Sequence, residues 1–225
     1  MKLLQAAPVL LDWTSQRAQR MLARLARQHP ESQRGTALRY RDPYQLAVSV
    51  MLSAQCTDAR VNQVSGPFFS RFPDFVSLAA ARLVEVEDAI RSVGLFRTKA
   101  ANLVSMARIV TEKHRGRLPC SVEALLSLPG IGRKSANVIV SELYDTPALA
   151  VDTHVGRVAR RLGWSASKST AGVERDVTSL LPRQQWNKAH RVLIWHGRKL
   201  CRARKPDCHA CSASLECHYY LRRES

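Results

Sequence analysis

The stretch LPGIGRKSANVIVSEL, residues 128–143, decides how the rest of the chain is read. Pro129 fixes one backbone angle, and Gly130 and Gly132 permit backbone geometry closed to other residues. The spacing of apolar residues from Ala136 to Leu143 predicts a helix, so the segment is a glycine turn feeding a helix N-terminus. Such a turn points successive amide N–H groups outward. The helix adds the positive end of its dipole, and together they make a place for a phosphate. An ordinary tight helix–helix turn fits the same residues, so the physics alone leaves both open.

Lys134 falls in the first turn of that helix. The helix terminus and neighbouring Arg133 both disfavour its charge, and any burial would act the same way. A partly neutral amine is what Schiff-base chemistry requires. A solvated, phosphate-contacting lysine is the plainer alternative. Downstream, AVDTHVGRVARRLG places Asp152 just before an amphipathic helix, where a carboxylate makes a good N-cap and stays ionised. The same group suits stabilising positive charge that develops on a sugar.

At the far end, CRARKPDCHACSASLEC carries Cys201, Cys208, Cys211 and Cys217 with spacing C-x6-C-x2-C-x5-C. Four clustered thiols point to a metal centre. Only the middle pair has the short spacer of zinc knuckles, and the run does not match bacterial ferredoxins, so zinc and iron–sulfur both remain open. His209 and His218 adjoin ligand cysteines and are taken as surface or outer groups. Between the first two cysteines, Arg202, Arg204 and Lys205 form a basic loop suited to phosphate contact, or simply a solvated run.

The whole chain agrees with a polyanionic partner. Its 225 residues hold 35 Lys and Arg against 18 Asp and Glu, a formal charge of +17. Nucleic acid comes first among such partners and an anionic membrane surface second. No apolar run approaches the roughly 20 residues that span a bilayer. The opening MKLLQAAPVLLDW lacks a clear cleavage site, so it is not taken as a signal peptide, and the expected location is cytoplasmic and nucleoid-associated.

Periodicity predicts an all-α protein of many short helices, at about 12–29, 44–55, 57–69, 85–93, 98–113, 133–143, 153–162, 173–181 and 184–198. Shorter elements start near Pro73 and Pro119. Residues 30–41 read as a linker, and the tail from Leu200 as irregular.

The motif LPGIGRKSA resembles the helix-hairpin-helix element, which implies sequence-independent binding of the DNA backbone. With LSAQCTD (52–58), VGLFRTKA (93–100), VDTHVGRVARRLG (151–163), LIWHGRKLC (193–201) and the cysteine box, residues 15–220 resemble the endonuclease III family of helix-hairpin-helix DNA glycosylases. That resemblance implies a bifunctional glycosylase and abasic-site lyase of base excision repair. It would remove oxidised pyrimidines from duplex DNA and cut 3′ to the abasic site by β-elimination. Lys134 falls at the nucleophile and Asp152 at the catalytic carboxylate. Gln55 and Leu95 correspond to side chains that fill the space left by a flipped nucleotide. Leu128, Gly130, Gly132, Arg133, His154, Arg202, Arg204 and Lys205 are expected DNA contacts. The four cysteines are implied to hold one [4Fe-4S] cluster per chain.

The implied fold is two helical domains flanking a DNA-binding cleft, in a monomer. Residues 36–146 form a six-helix domain with the hairpin. Residues 1–35 carry the N-terminal helix, which joins 147–225 and the cluster. Cys56 stands where many relatives have a small apolar residue, and residues 1–11 are either an added contact or without order. Two rivals are an adenine- or mismatch-specific glycosylase of the same superfamily, against which Lys134 argues, and a non-catalytic DNA-binding iron–sulfur protein.

Overall fold

A computed structural model of the protein describes residues 12–224; the segment 1–11, and with it the question of an added contact, lies outside them. Among the described residues the structure is helical with no strand. They divide into two compact units. One is continuous, Thr36–Thr146, and the other joins the residues up to Gly35 with those from Pro147 on.

The continuous unit is built on α2 (Pro43–Leu52), whose sequence PYQLAVSVML is apolar nearly all round, as a core helix must be. Pro43 takes the first helical position, where no N–H is needed, and Asp42 Oδ1 accepts from the Gln45 amide at 2.8 Å. Then come α3 (Asp58–Arg71), α4 (Phe75–Ala80), α5 (Leu83–Ala89), α6 (Phe96–His114), α7 (Val122–Leu126) and α8 (Arg133–Tyr144). Counting short α4 and α5 separately gives seven helical segments where the resemblance implies six. Ala81 and Arg82 are extended between those two, which moves α5 earlier than its apolar spacing indicated.

The other unit contains α1 (Ser15–Gln28), α9 (Thr153–Leu162), α10 (Thr170–Leu180), α11 (Trp186–Lys199) and α12 (His218–Glu224). Met21, Leu22 and Leu25 of α1 are fully buried in one cluster with Val155, Val158 and Leu193. Each large aliphatic side chain so placed contributes about 1.5–3 kcal/mol of transfer free energy. Trp13 Nε1 donates to the Leu162 carbonyl at 3.1 Å and its ring meets Trp164 edge-on.

Residues 30–41, read as a linker, contain the boundary between the two units at Gly35 and Thr36 and include a 3-10 turn at Pro30–Gln33. The tail is not wholly irregular, because Tyr219 and Tyr220 pack against the core and give α12 an apolar side. No helix among the described residues is long and apolar enough to cross a membrane.

Candidate functional site

The hairpin comprises α7, a turn and α8, with α7 and α2 both packed on α8. The Ile131 amide donates to the Leu128 carbonyl at 3.2 Å, closing the turn. Gly130 has φ +79°, and a Cβ there would lie 2.6 Å from Met51 Cε and 2.9 Å from Asn102 Cβ. Conformation and space therefore both demand glycine at 130. Gly132 differs from what its sequence context indicated. Its φ of −91° is open to any residue and a Cβ would meet nothing within 4 Å, so the fold itself does not require it.

Gly132 is the N-cap of α8 and supplies no side-chain cap. Arg133 and Lys134 occupy the first two positions of the helix and both are exposed, which removes burial from the influences expected on Lys134. The Leu128 side chain is only 2% exposed and belongs to the core, which leaves its backbone for the contact with DNA.

Gln55 and Leu95 stand on two turns of the same unit. Both adopt left-handed backbone conformations, φ +55° and +58°, which cost a non-glycine residue roughly 1–2 kcal/mol each. Gln55 is exposed and Leu95 is 58% exposed, unusual for a large apolar side chain. The turns abut, since a Cβ on Gly94 would sit 3.7 Å from the Gln55 carbonyl oxygen. Cys56 beside them is half-buried.

In the other unit Asp152 caps α9, its Oδ1 accepting from the amides of His154 at 2.9 Å and Val155 at 2.8 Å. Oδ2 lies outside the cap. His154 Nδ1 is 3.1 Å from Arg157 Nη2 and must accept there. Burial holds His154 below its ordinary pKa, Arg157 and Arg198 add to that, and Asp152 opposes it.

Cys201, Cys208, Cys211 and Cys217 all line one small cavity. Burial pushes Cys211 up to about 11, and the neighbouring Cys217, Cys201 and Cys208 act in the same direction. Thiolates gathered in this way need compensating positive charge. Among the described residues no three His, Cys, Asp or Glu side chains gather as ligands of a single ion would. The donor set is four thiols, the soft ligands that suit iron–sulfur centres and zinc. The Ala213 amide donates to Cys211 Sγ at 3.4 Å, an N–H···S bond suited to a bound thiolate.

Three residues around this cavity escaped sequence reasoning. Arg161 Nη1 donates to the Arg202 carbonyl at 2.7 Å and Nη2 to Ala203 at 3.0 Å, while its guanidinium lies 4.4 Å from the Tyr219 ring centroid. Buried His196 has Nε2 3.7 Å from Cys211 Sγ and Nδ1 3.0 Å from Nε2 of buried His29. His209 is exposed beside Tyr220 and His218 stacks near Trp13, so the histidine that approaches a thiol is not one beside a cysteine in sequence. The only available signal was Arg161 and Arg157 at i, i+4 spacing on one face of α9. Arg202, Arg204 and Lys205 are exposed on the loop that Arg161 anchors.

Comparisons with known proteins agree along the chain. The model of the HhH-GPD superfamily of base excision DNA repair proteins matches residues 48–183. Endonuclease III of Synechocystis is 40% identical over 203 residues, covering 90% of this chain and 92% of that protein. Endonuclease III of Escherichia coli is 35% identical over 199 residues, covering 88% and 93%. A solved structure described as a trapped endonuclease III–DNA covalent intermediate superposes with a TM-score of 0.89 at 37% identity, covering 95% of this chain and 100% of that one.

Proposed function

The chain belongs to the endonuclease III family within the HhH-GPD superfamily, and from that premise we propose that Lys134 and Asp152 carry out its glycosylase and lyase chemistry on oxidised pyrimidines in duplex DNA. The protein is a bifunctional DNA glycosylase and abasic-site lyase of base excision repair. The observation that carries the residue assignment is the hairpin, where Gly130 forces the turn and Lys134 stands exposed on the first turn of α8.

A base in the duplex hides its sugar carbon, so the nucleotide is flipped out at a cost of a few kcal/mol. Gln55 and Leu95 fill the space it leaves. The amide meets the orphan base and the apolar side chain wedges the stack. Backbone N–H groups at the start of α8 hold a phosphate, and the missing side chain at Gly132 leaves room for that approach. The basic loop of Arg202, Arg204 and Lys205 adds sequence-independent phosphate contacts, with Arg133 and His154 nearer the two catalytic groups in sequence.

The neutral amine of Lys134 attacks C1′. The C1′–N bond breaks and the base leaves with a proton, while Asp152 Oδ2 stabilises positive charge on the sugar. Ring opening gives a protonated imine between Nζ and C1′. Loss of a proton from C2′ then expels the 3′ phosphate, and water hydrolyses the imine to release Lys134. No electron enters or leaves.

Cys201, Cys208, Cys211 and Cys217 hold one [4Fe-4S] cluster, a reading supported by the cavity all four line and by the N–H groups directed at Cys201 and Cys211. Held by those thiols, the cluster would supply a structural tie at both ends of the basic loop rather than bond-breaking chemistry. The chain works as a monomer on nucleoid DNA in the cytoplasm.

Borohydride trapping on oxidised, mismatched and abasic duplexes tests the assignment. A covalent complex with oxidised-pyrimidine and abasic DNA is expected from the native protein and none from Lys134→Ala. A native protein that binds such DNA and never cross-links would overturn it.

A further inference from the structure

The last turn of α2 leaves four carbonyls to be satisfied, as every helix end does. Ser49 O accepts from the Ser53 amide at 3.0 Å, Val50 O from Ser53 Oγ at 2.8 Å and Met51 O from the Ala54 amide at 3.4 Å. Leu52 O accepts from the side chain of Lys99, Nζ at 2.8 Å, and the same ammonium donates to Ala54 O at 2.6 Å. Lys99 is 6% exposed and sits in α6, four residues after Leu95, and its own amide donates to the Leu95 carbonyl at 3.0 Å. One residue is thus tied through its side chain to the turn that leads into Gln55 and through its backbone to Leu95.

We propose that Lys99 is the positioning residue of the DNA wedge, clamping the Gln55 and Leu95 turns into one unit so that both side chains enter the duplex together. The inference rests on the assignment of Gln55 and Leu95 as gap-filling residues. Both turns hold a left-handed non-glycine residue, a conformation that persists only where surroundings over-determine it. A cation at a helix C-terminus is electrostatically favoured, which offsets part of the cost of burying it. That burial draws the Lys99 ammonium below its ordinary range while Cys56 acts against the shift. A surface lysine or water could cap α2 equally well; a buried ammonium spanning the two turns adds rigidity between them.

The test is a double-mutant cycle on the full-length, cluster-loaded protein. Lys99→Met keeps the stem and removes the donors. Single-turnover release of thymine glycol is compared with strand cleavage at a preformed abasic site, where no base has to be unstacked. Lys99→Met should slow base release roughly tenfold more than abasic cleavage. Adding Leu95→Ala or Gln55→Ala to Lys99→Met should cost much less than it costs the native protein, since coupled residues are non-additive. Multiplicative effects, or equal loss on both substrates, would overturn the proposal. If Leu95→Ala and Gln55→Ala alone leave base release unchanged, the gap-filling assignment fails and takes the clamp with it. If they slow release while Lys99→Met does not, the clamp alone fails. Should Lys99→Met not fold, Lys99→Gln, which retains an N–H donor of shorter reach, enters the same cycle under the same criteria.

Discussion

Arg161 Nη1 lies 3.3 Å from Cys201 Sγ, and the same guanidinium holds the carbonyls of Arg202 and Ala203. A single side chain of α9 therefore links a cysteine of the cavity to the basic loop that follows it. The planar fork of arginine serves several acceptors at once, which a lysine ammonium on a flexible stem does not reproduce.

Arg161→Met should therefore reduce bound iron per chain and weaken binding to all duplexes alike, and Arg161→Lys should not restore either. Iron content and the salt dependence of duplex affinity are the readouts. Each charged hydrogen bond lost is worth about 1.5–3 kcal/mol. Retention of full iron and affinity in both variants would remove Arg161 from this role.

Asp152 separates capping from chemistry. Asparagine caps a helix about as well as aspartate, so Asp152→Asn should change stability by less than about 1 kcal/mol. Loss of the negative charge should slow base release by roughly 10²–10³-fold. Thermal unfolding and single-turnover kinetics on one preparation distinguish the two effects.

The two hairpin glycines should respond in opposite ways. Gly130→Ala drives a Cβ into Met51 and Asn102 at positive φ, and should destabilise the fold by at least about 1–2 kcal/mol. Gly132→Ala meets open space and a φ of −91°, so its melting temperature should stay near native while duplex affinity falls. A normal affinity for Gly132→Ala would show that the backbone does not need that clearance.

His154 gives a pH dependence with a definite sign. Its folded pKa lies below the ordinary 6.5 because burial disfavours the cation, so between the two values the unfolded chain binds more protons. Its contribution to stability is complete above the unfolded value and declines as pH falls toward the folded one. Protonation would also set a second cation against Arg157, whose N–H bond to Nδ1 requires the neutral ring. Melting temperatures of native protein and His154→Gln, followed from pH 7.5 downward in about half-unit steps, should converge as the medium acidifies.

Local chemistry made much of this legible in the sequence. Apolar periodicity marks α1, α8, α9 and α11, Asp152 announces itself as a cap, and Gly130 marks a turn that no other residue enters cheaply. The cysteine box points to a metal from spacing alone, although only the resemblance chooses iron–sulfur over zinc. What stayed hidden depends on partners distant in the chain. Arg161 looks like any surface arginine until Cys201 is placed beside it, and His196 pairs with His29 across most of the sequence. Lys99 sits within a quoted motif, but nothing local shows that its ammonium turns inward to the last carbonyl of another helix and one in the turn after it. The burial of the Leu128 side chain was hidden for the same reason, since a turn residue beside glycines carries no mark of whether its side chain faces the core.

The discontinuous unit has a consequence in time. The segment Thr36–Thr146 is continuous, so all the helices of its own unit exist once its last residue is made. Helix α1 does not, because Met21, Leu22 and Leu25 are buried by α9 and α11, which emerge from the ribosome much later. The first of the described helices to be synthesised is thus among the last to be covered. Its apolar face therefore waits for partners made much later, and the four clustered cysteines of the same unit come only after α11.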